Sequence, residues 1–392
     1  MSRNLVRILL FCGFIAPLAS LAQTLGQDTT SNPIITAVPF LMISPDARSS
    51  ALGDAGAAIS ADANATHWNI GKLVFAENDY GVSLSYNPWL RNIVDDMSLA
   101  YLSAYMKLDQ EQAVAFSLRY FNLGSIQFTN QQGDPIDEFT PNELALSLGY
   151  SRKLSEKIGL GVNARYVRSN LGKVDNSGTA DVLPANALAA DIGFYSRGDA
   201  RLFAREGEFA WAVVISNIGN KITYLGEATE NFMPGNLRLG TAYTIELDPF
   251  NKITLALDAN KLLVPTPPRR NNDGTIAAGK DPNRSLLNGT FTSFADAPDG
   301  FSEEMKEFNL STGLEYWYNN LFAGRVGYFW EHADKGGRKF FTLGVGLRYQ
   351  VLNFDFAYLI PQDQNHPLAE TLRFTLGLNL DRNSEVDRSI RQ

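Results

Sequence analysis

Hydrophobic and polar residues alternate along most of the chain from about residue 80 onward, which is the pattern of a β-strand with two different faces. In the segment 340–350, the positions of one face are Phe341, Leu343, Val345, Leu347 and Tyr349. Threonine, glycine and arginine lie between them, and the segment 371–381 repeats the arrangement. A soluble sandwich also alternates, but its buried face is seldom backed by so many glycine, arginine and aspartate residues. The pattern therefore favours strands that lie between an apolar medium and a polar interior.

Fourteen segments have this pattern, and most are close to the ~9–11 residues of a tilted membrane-spanning strand. They lie near residues 80–86, 97–107, 112–123, 143–154, 158–169, 187–197, 208–217, 236–247, 252–261, 307–317, 321–331, 340–350, 352–359 and 371–381. Because unpaired backbone groups are not tolerated in hydrocarbon, a sheet that faces lipid must close on itself. The predicted fold class is all-β, a 14-stranded antiparallel transmembrane β-barrel over residues 80–381.

The connections between these segments alternate between short turns and long loops, as in outer-membrane barrels. An even strand number predicts that both chain ends lie on the periplasmic side, if the short turns are periplasmic. Residues 382–392 would then form a periplasmic tail. The longest connection, 262–306, is rich in proline and glycine, so a linker between two domains is one interpretation. The strand pattern resumes unchanged after it, which favours a long extracellular loop of a single barrel.

The first 22 residues have the parts of a secretory signal peptide. Two arginines precede a short apolar run at 8–21, and Ser20-Leu21-Ala22 offers the small residues of a cleavage site. A membrane anchor is the alternative, but the run is short and is interrupted by glycine and proline. The only cysteine, Cys12, lies in this segment, so the exported chain is expected to have no disulfide.

Residues 23–79 do not follow the strand pattern and are expected to form a hatch or plug inside the barrel. The stretch ALGDAGAAISADANATHWNIGKL at 51–73 is rich in small residues and aspartate. It resembles the N-terminal hatch of FadL-like outer-membrane proteins, in which a Gly-Asp-Ala-Gly motif and a Trp-Asn pair recur. That family commonly has proline after the asparagine, whereas this chain has Ile70.

Three longer stretches, 37–56, 83–109 and 141–171, resemble the PorV family, which belongs to this FadL-like superfamily and to the type IX secretion system. The resemblance implies an outer-membrane shuttle that binds the C-terminal signal domains of cargo at the translocon. It also implies delivery to a surface attachment complex that contains a signal-removing peptidase. The expected partners are therefore the translocon barrel protein, cargo signal domains, that attachment complex and outer-membrane lipids. The alternative is a FadL-like transporter of hydrophobic small molecules.

Composition and motifs argue against other classes of function. A net charge of −8 and a pI near 5.1 argue against a nucleic-acid partner. The three histidines have no metal-ligand spacing, and the glycines of GVGLRY at 344–349 lie in a strand and do not form a phosphate loop. The sequence predicts no enzyme activity and no cofactor, although a lipid-modifying outer-membrane enzyme is an alternative.

The candidate functional residues fall into two groups, of which the first is charged. If leucine and phenylalanine face lipid, one set of arginines faces the lumen: Arg119, Arg165, Arg238, Arg325, Arg348 and Arg373. The acidic residues Asp191, Asp258, Glu315 and Asp355 face the same way. Buried charges need partners, and the hatch carboxylates Asp46, Asp54 and Asp62 are candidates. The alternative is that the barrel charges pair with one another and with water.

The second group is apolar and lies in the long connections. These residues are expected to be exposed at the rim, where they would contact a protein partner: Trp89, Leu90, Phe128, Phe139, Leu183, Phe232 and Met233. The alternative is that they pack on one another and close the mouth of the barrel. Aromatic residues near strand ends are expected to form interfacial girdles, as for Tyr86, Trp89, Tyr105, Tyr195, Trp317 and Trp330.

Overall fold

The structure is a computed structural model, and it describes residues 31–90, 94, 96–130, 132–172, 183–202, 205–224, 230–362 and 371–382. Fourteen antiparallel strands form one closed ring, and each pairs with the barrel strands that precede and follow it. The first and last strands complete the ring, with Tyr80 opposite Leu380 and Tyr86 opposite Phe374. The predicted 14-stranded barrel is therefore confirmed. The predicted signal peptide 1–22 and nearly all of the tail 382–392 lie outside the described residues.

The barrel strands agree with the predicted segments to within two residues at most ends. They are β1 (Tyr80–Pro88), β2 (Ser98–Lys107), β3 (Gln112–Asn122), β6 (Asn142–Ser155), β7 (Ile158–Asn170), β8 (Ala185–Leu202), β9 (Arg205–Gly219), β12 (Asn236–Asp248), β13 (Asn251–Leu262), β16 (Phe308–Tyr318), β17 (Phe322–Trp330), β18 (Lys339–Tyr349), β19 (Leu352–Pro361) and β20 (Leu372–Leu380). Three short hairpins lie in the connections: β4 (Ile126–Thr129) with β5 (Pro135–Phe139), β10 (Ile222–Thr223) with β11 (Glu230–Asn231), and β14 (Arg269–Arg270) with β15 (Ile276–Ala278).

Strands β8 and β9 extend well beyond the predicted segments 187–197 and 208–217. Their hairpin continues to the pair Leu202 and Arg205, past the point where the hydrophobic alternation stops. Polar residues occupy both faces there, and Arg197 pairs with Glu208 across the two strands. A strand that has left the apolar layer no longer needs two different faces, so the sequence pattern could not mark its end.

Alternate residues of each strand face outward or into the ring, as the pattern predicts. On β18, Phe341, Leu343 and Val345 are exposed on the outside, whereas Thr342 is buried. Of the residues predicted for the aromatic girdles, Tyr86 is exposed, but the prediction is wrong for three others. These share the inward face of their strands and are buried: Tyr105, Tyr195 and Trp317. Proximity to a strand end does not determine which face a residue occupies.

The luminal segment, residues 32–79, runs through the interior of the ring. It contains four short helices, Pro39–Met42, Ala47–Ser50, Ala65–Trp68 and Ile70–Phe75. Asp46 caps the second of these, because its carboxylate accepts a hydrogen bond from Ser49 N at 2.9 Å. None of the helices in the described ranges is long and apolar enough to cross a bilayer.

The luminal segment lies against the strand backbones where glycine removes the side chains between them. Gly53 has φ +68, and a Cβ atom there would be 2.6 Å from the backbone of Tyr328. A Cβ atom on Gly327 would be only 2.1 Å from Gly53 N. Main chain therefore packs directly on main chain at this point.

The two rims of the barrel differ. The turn rim carries short connections such as 249–250, 319–321 and 350–351. Strand β1 begins at this rim, and strand β20 ends there. The loop rim carries the longer connections, of which the longest is the long loop, residues 263–307. The long loop contains helices Leu286–Thr292 and Phe301–Lys306, and a further short helix, Ala333–Lys335, follows β17.

Candidate functional site

A buried ionic network joins the luminal segment to the barrel wall. Arg48 donates two hydrogen bonds to Glu315, from Nε at 3.0 Å and from Nη2 at 2.9 Å. Glu315 also accepts from Arg325 Nε at 2.7 Å, and Arg325 Nη1 donates to Asp355 at 2.6 Å. The side chains of Arg48 and Glu315 are only 5% and 2% exposed. Because these charges are buried, the loss of any one partner would leave another charge uncompensated, which is costly.

Hydrogen bonds from the backbone of the luminal segment add to this attachment. Asp258 on β13 accepts from Gly56 N at 2.8 Å and from Ala57 N at 2.9 Å. Gly53 N donates to Thr342 Oγ1 at 2.9 Å. Strands β13, β16 and β18, which lie close together in the ring, therefore all hold the same segment.

The three predicted hatch carboxylates have different surroundings. Asp54 lies 3.3 Å from Arg373 Nη1, across the gap to β20. Asp62 pairs instead with Arg48 of its own segment, at 3.1 Å. Asp46 accepts from Trp68 Nε1 at 2.6 Å and has no ion pair with an arginine among the described residues. The structure thus brings one of the three to a predicted barrel arginine.

The sequence interpretation missed Arg48, the residue of the luminal segment that pairs directly with Glu315. One signal was available, since Arg48 is the only arginine in residues 23–79. A lone arginine in a stretch of small residues that is expected to be buried needs a carboxylate partner. The acidic residues of the barrel interior were the obvious candidates.

The remaining predicted arginines all lie on the inner side of the wall, with different partners. Arg165 pairs with Asp191 on the adjacent strand at 2.7 Å. Arg119 donates to the carbonyl oxygens of Phe40 and Leu41 at 3.0 and 2.8 Å. The last two stack on aromatic rings, with Arg238 4.6 Å from the centre of Trp68 and Arg348 4.2 Å from that of Trp317. Both alternatives drawn from the sequence thus occur, since some arginines contact the luminal segment and others pair within the wall.

His67 lies beside Arg119, and the contact fixes the hydrogen-bonding role of its ring. Arg119 Nη2 is 2.8 Å from His67 Nδ1. Burial and the positive charge of Arg119 lower the pKa of His67 well below its usual range, so the imidazole is neutral. Because a guanidinium can only donate, Nδ1 accepts and the proton is on Nε2.

Cavities lie inside the ring on both sides of the luminal segment. The cavity at the turn rim has a volume of about 430 Å³ and is lined by polar residues that include Arg348, Asn353 and Asp355. The cavity toward the loop rim is about 60 Å³ and is also mostly polar. An apolar groove of about 600 Å³ lies on the outer face instead, along Leu314, Val326 and Leu343. Among the described residues, no three histidine, cysteine or acidic side chains are grouped to hold a metal ion.

A second buried charge cluster anchors the long loop. Lys261 at the end of β13 pairs with Glu304 at 2.9 Å and with Glu307. Lys335, which lies on the next connection, pairs with Glu303 at 2.6 Å and with Glu307 at 3.1 Å. These pairs hold the helix Phe301–Lys306 against the end of β13 and against the connection after β17, so the long loop is a folded unit on a fixed base.

The long loop presents an apolar surface, here called the loop patch. Its five large side chains are 45–78% exposed: Leu287, Phe291, Phe294, Phe301 and Met305. The first two are four residues apart on one helix, and the last two are four residues apart on the other, so each pair shares a helix face. Exposed aromatic residues on a folded base are typical of protein interfaces.

The predicted apolar anchors only partly agree with this picture. Phe128 and Leu183 are exposed, and Trp89, Leu90 and Phe139 are partly buried. The expected exposure of Phe232 and Met233 is wrong, because both side chains are buried. Their segment folds into the mouth of the barrel, where Ala37 N donates to Phe232 O at 2.9 Å. Met233 packs in the same apolar cluster as Phe40 and Leu41.

Asp296 makes the long loop sensitive to pH. Burial, together with the negative charges of Glu304 and Glu307, raises the pKa of Asp296 to about 6. A carboxyl whose pKa is raised on folding opposes the folded state when it is ionised. The long loop therefore loses stability as the pH rises from 3.8 toward about 6, and its stability remains lower above that pH.

Asp296→Asn is therefore expected to protect the long loop from proteolysis at pH 8, and less so at pH 5. The ratio of wild-type to variant cleavage rates at each pH removes the pH dependence of the protease, and an equal ratio at both values would contradict the assignment.

Comparison with solved structures gives the relatives of the fold. The CymD monoaromatic hydrocarbon channel is 11% identical, with a TM-score of 0.50 over 87% of this chain and 99% of that one. The Ralstonia pickettii toluene transporter TbuX is 12% identical, with a TM-score of 0.44 over 86% and 98% of the two chains. A Pseudomonas aeruginosa FadL homologue is 11% identical, with a TM-score of 0.42 over 90% and 99%. At such low identity, the likeness to CymD concerns the fold alone.

Comparison of sequences identifies the family. A search of curated proteins found no match to the chain. The family model for the type IX secretion system protein PorV matches residues 26–269, which is more than half of the sequence. This match agrees with the stretches that resemble the family and with the closed barrel around a luminal segment. The chain therefore belongs to the PorV family of the type IX secretion system.

Proposed function

We propose that the protein is an outer-membrane shuttle of type IX secretion, which binds the C-terminal signal domain of cargo at the translocon and delivers it to the surface attachment complex. Membership of the PorV family assigns the chain to type IX secretion and to the outer membrane. The proposal adds a direction: the loop rim faces the cell exterior and both chain ends face the periplasm. It also adds an architecture, with residues 1–22 as a signal peptide and 23–79 as a permanent plug.

The observation that carries the proposal is the loop patch on its anchored base. A protein that receives a folded domain from outside the membrane needs a contact surface that is already ordered, because ordering a loop on binding costs affinity. The buried pairs of Lys261 and Lys335 with the glutamates of Phe301–Lys306 supply that order. The partner therefore meets a fixed apolar surface, and Phe128 and Leu183 are exposed on other connections of the loop rim.

Transport of hydrophobic small molecules, the FadL-like alternative, needs an apolar cavity next to the luminal segment. The cavities of about 430 and 60 Å³ on its two sides are lined mainly by polar residues. A cavity of about 370 Å³ at the loop rim has more apolar lining, from residues 33–42 of the segment, but the charged side chains of Glu307, Glu331, Lys335 and Arg338 also line it. The apolar groove lies on the outer face, where lipid would fill it. We therefore prefer a binding role at the loop rim, with no catalytic step, to passage through the lumen.

The loop patch gives the proposal a direct test. The double variant Phe291→Ser and Phe301→Ser is expected to reduce co-purification of a cargo with its C-terminal signal domain by tenfold or more, because interface aromatics each contribute about 1–2 kcal/mol or more. Both side chains are exposed, so the barrel itself should fold normally. Phe250→Ser is the matched control, since Phe250 is also an exposed phenylalanine but lies at the turn rim. Equal cargo recovery with the double variant and with the control would overturn the assignment of the patch.

Two further measurements separate the shuttle from the transporter. Purification of the wild-type protein from its native membrane is expected to retain signal-bearing cargo, whereas a transporter would retain fatty acid or a similar ligand without protein. Deletion of the gene is expected to stop secretion of such cargo. Normal secretion in the deletion strain would rule out the shuttle.

A further inference from the structure

The small cavity between the luminal segment and the loop rim has an unusual lining. Its volume of about 60 Å³ has room for a group the size of a few water molecules. The luminal segment contributes Asp54, His67 and Trp68 to its wall, and the strands contribute Arg238 and Ser311. A group held there would contact both parts of the protein at once.

The charged groups around the cavity are mostly positive. Arg165, Arg238 and Arg338 line it against a single carboxylate, Asp54. That carboxylate already lies 3.3 Å from Arg373 Nη1 on the next part of the wall. The negative charge of Asp54 is thus shared with an arginine that does not line the cavity.

Two of the three lining arginines have a carboxylate partner, and the third does not. Arg165 pairs with Asp191, and Arg338 pairs with Glu331. Arg238 donates from Nε to the neutral side chain of Asn260 at 2.7 Å, and its guanidinium lies over the ring of Trp68. Within the described ranges, no carboxylate is in ion-pairing distance of Arg238. Asp258 and Asp54 act on its charge from a distance, but neither forms an ion pair with it.

Two further donors at the cavity have no hydrogen-bond partner among the described residues. One is His67 Nε2, which carries the proton because Nδ1 accepts from Arg119. The other is Ser311 Oγ, whose residue is fully buried. An unsatisfied buried donor costs about 1–3 kcal/mol, so native proteins rarely leave two of them beside an unpaired guanidinium.

We propose that this cavity is a binding site for one small anion, of the size of chloride or formate. Arg238 supplies the charge, His67 Nε2 and Ser311 Oγ supply neutral hydrogen bonds, and the small volume excludes larger anions. The bound anion joins the luminal segment to the barrel wall on the loop side, where it adds to the attachment that Glu315 gives on the turn side. The site does not depend on the secretion role proposed above.

Thermal unfolding of the full-length protein in detergent tests the site. Sodium chloride and sodium formate are each compared with sodium gluconate at the same ionic strength, since gluconate is too large for the cavity. A concentration-dependent rise in Tm with chloride, formate or both is expected for the wild type. An equal Tm in all three salts would overturn the proposal.

Variants locate the effect. Arg238→Gln is expected to raise the half-maximal anion concentration at least tenfold, whereas Arg348→Gln leaves it unchanged. Arg348 is the matched control because it also stacks on a tryptophan ring in the lumen but lines the other cavity. Asp54→Asn should lower the half-maximal concentration, because it removes the only carboxylate of the lining. If Arg238→Gln does not fold, Ser311→Ala replaces it with an expected weakening of about threefold. An unchanged response in Arg238→Gln or Ser311→Ala, or an equal loss in Arg348→Gln, would refute the site.

Discussion

Glu315→Gln is expected to destabilise the protein by about 3–5 kcal/mol, the cost of breaking a buried ion pair by removing one partner. Glutamine keeps the size of the side chain but removes the charge that Arg48 and Arg325 share. Both guanidinium groups would stay buried, with only Asp62 and Asp355 to compensate them. We expect the luminal segment to detach before the strands separate, because the barrel hydrogen bonds are not affected.

Urea unfolding in lipid vesicles measures the total loss, and limited proteolysis within residues 32–79 measures detachment. Glu246→Gln is the matched control, since Glu246 pairs with Lys252 at 3.7 Å on an exposed strand end. Exposed pairs contribute about 0–1 kcal/mol, so the control should behave as the wild type. A loss as small for Glu315→Gln as for the control would show that the network does not hold the segment.

A second variant distinguishes charge from packing. Replacement of both partners, Arg48→Met with Glu315→Met, removes the buried charges together and is expected to cost less than Glu315→Gln alone. Arg325 retains Asp355 in this variant. A larger loss in the double variant would mean that the shape of the network, rather than its charge, stabilises the protein.

Gly327→Ala is the second change with a large expected effect, of about 1–3 kcal/mol or more. The added Cβ would lie 2.1 Å from Gly53 N and 2.2 Å from Leu52 C, so backbone rather than a movable side chain would have to shift. The contact between the luminal segment and β17 would open. Faster proteolysis of the segment and a lower Tm are the expected observations.

Gly324 provides an internal control for this prediction, because it lies on the same strand and faces outward. A Cβ atom there would have no neighbour within 4 Å, so Gly324→Ala should leave the protein unchanged. Both variants remove the same flexibility of a strand glycine, and only one adds a clash. Equal behaviour of the two would mean that the segment adjusts to the added methyl group.

The sequence predicted the barrel well because strand alternation is a local property. Segment 340–350 and strand β18 (Lys339–Tyr349) nearly coincide, since each residue reports its own face. The same local pattern also explains the errors. Trp317 was assigned to the lipid interface from its place near a strand end, although it has the same parity as Glu315 and is buried.

The candidate site was less predictable, because its contacts join distant parts of the chain. Arg48 and Glu315 are 267 residues apart, and no local period relates them. Phe232 and Met233 were expected at the surface because their connection is long and polar. Their burial depends on how that connection folds against the luminal segment, where Ala37 N donates to Phe232 O.

The attachment of the luminal segment also sets an order of assembly. Ala47 N donates to Thr375 Oγ1 at 2.9 Å, and Arg373 of the same strand contacts Asp54. These two contacts of the luminal segment therefore form only after the last strand of the barrel is in place. A barrel in which β20 is not yet in place holds the luminal segment by fewer contacts. A protease that cuts residues 32–79 is therefore expected to cleave chains that stalled before closure faster than finished barrels.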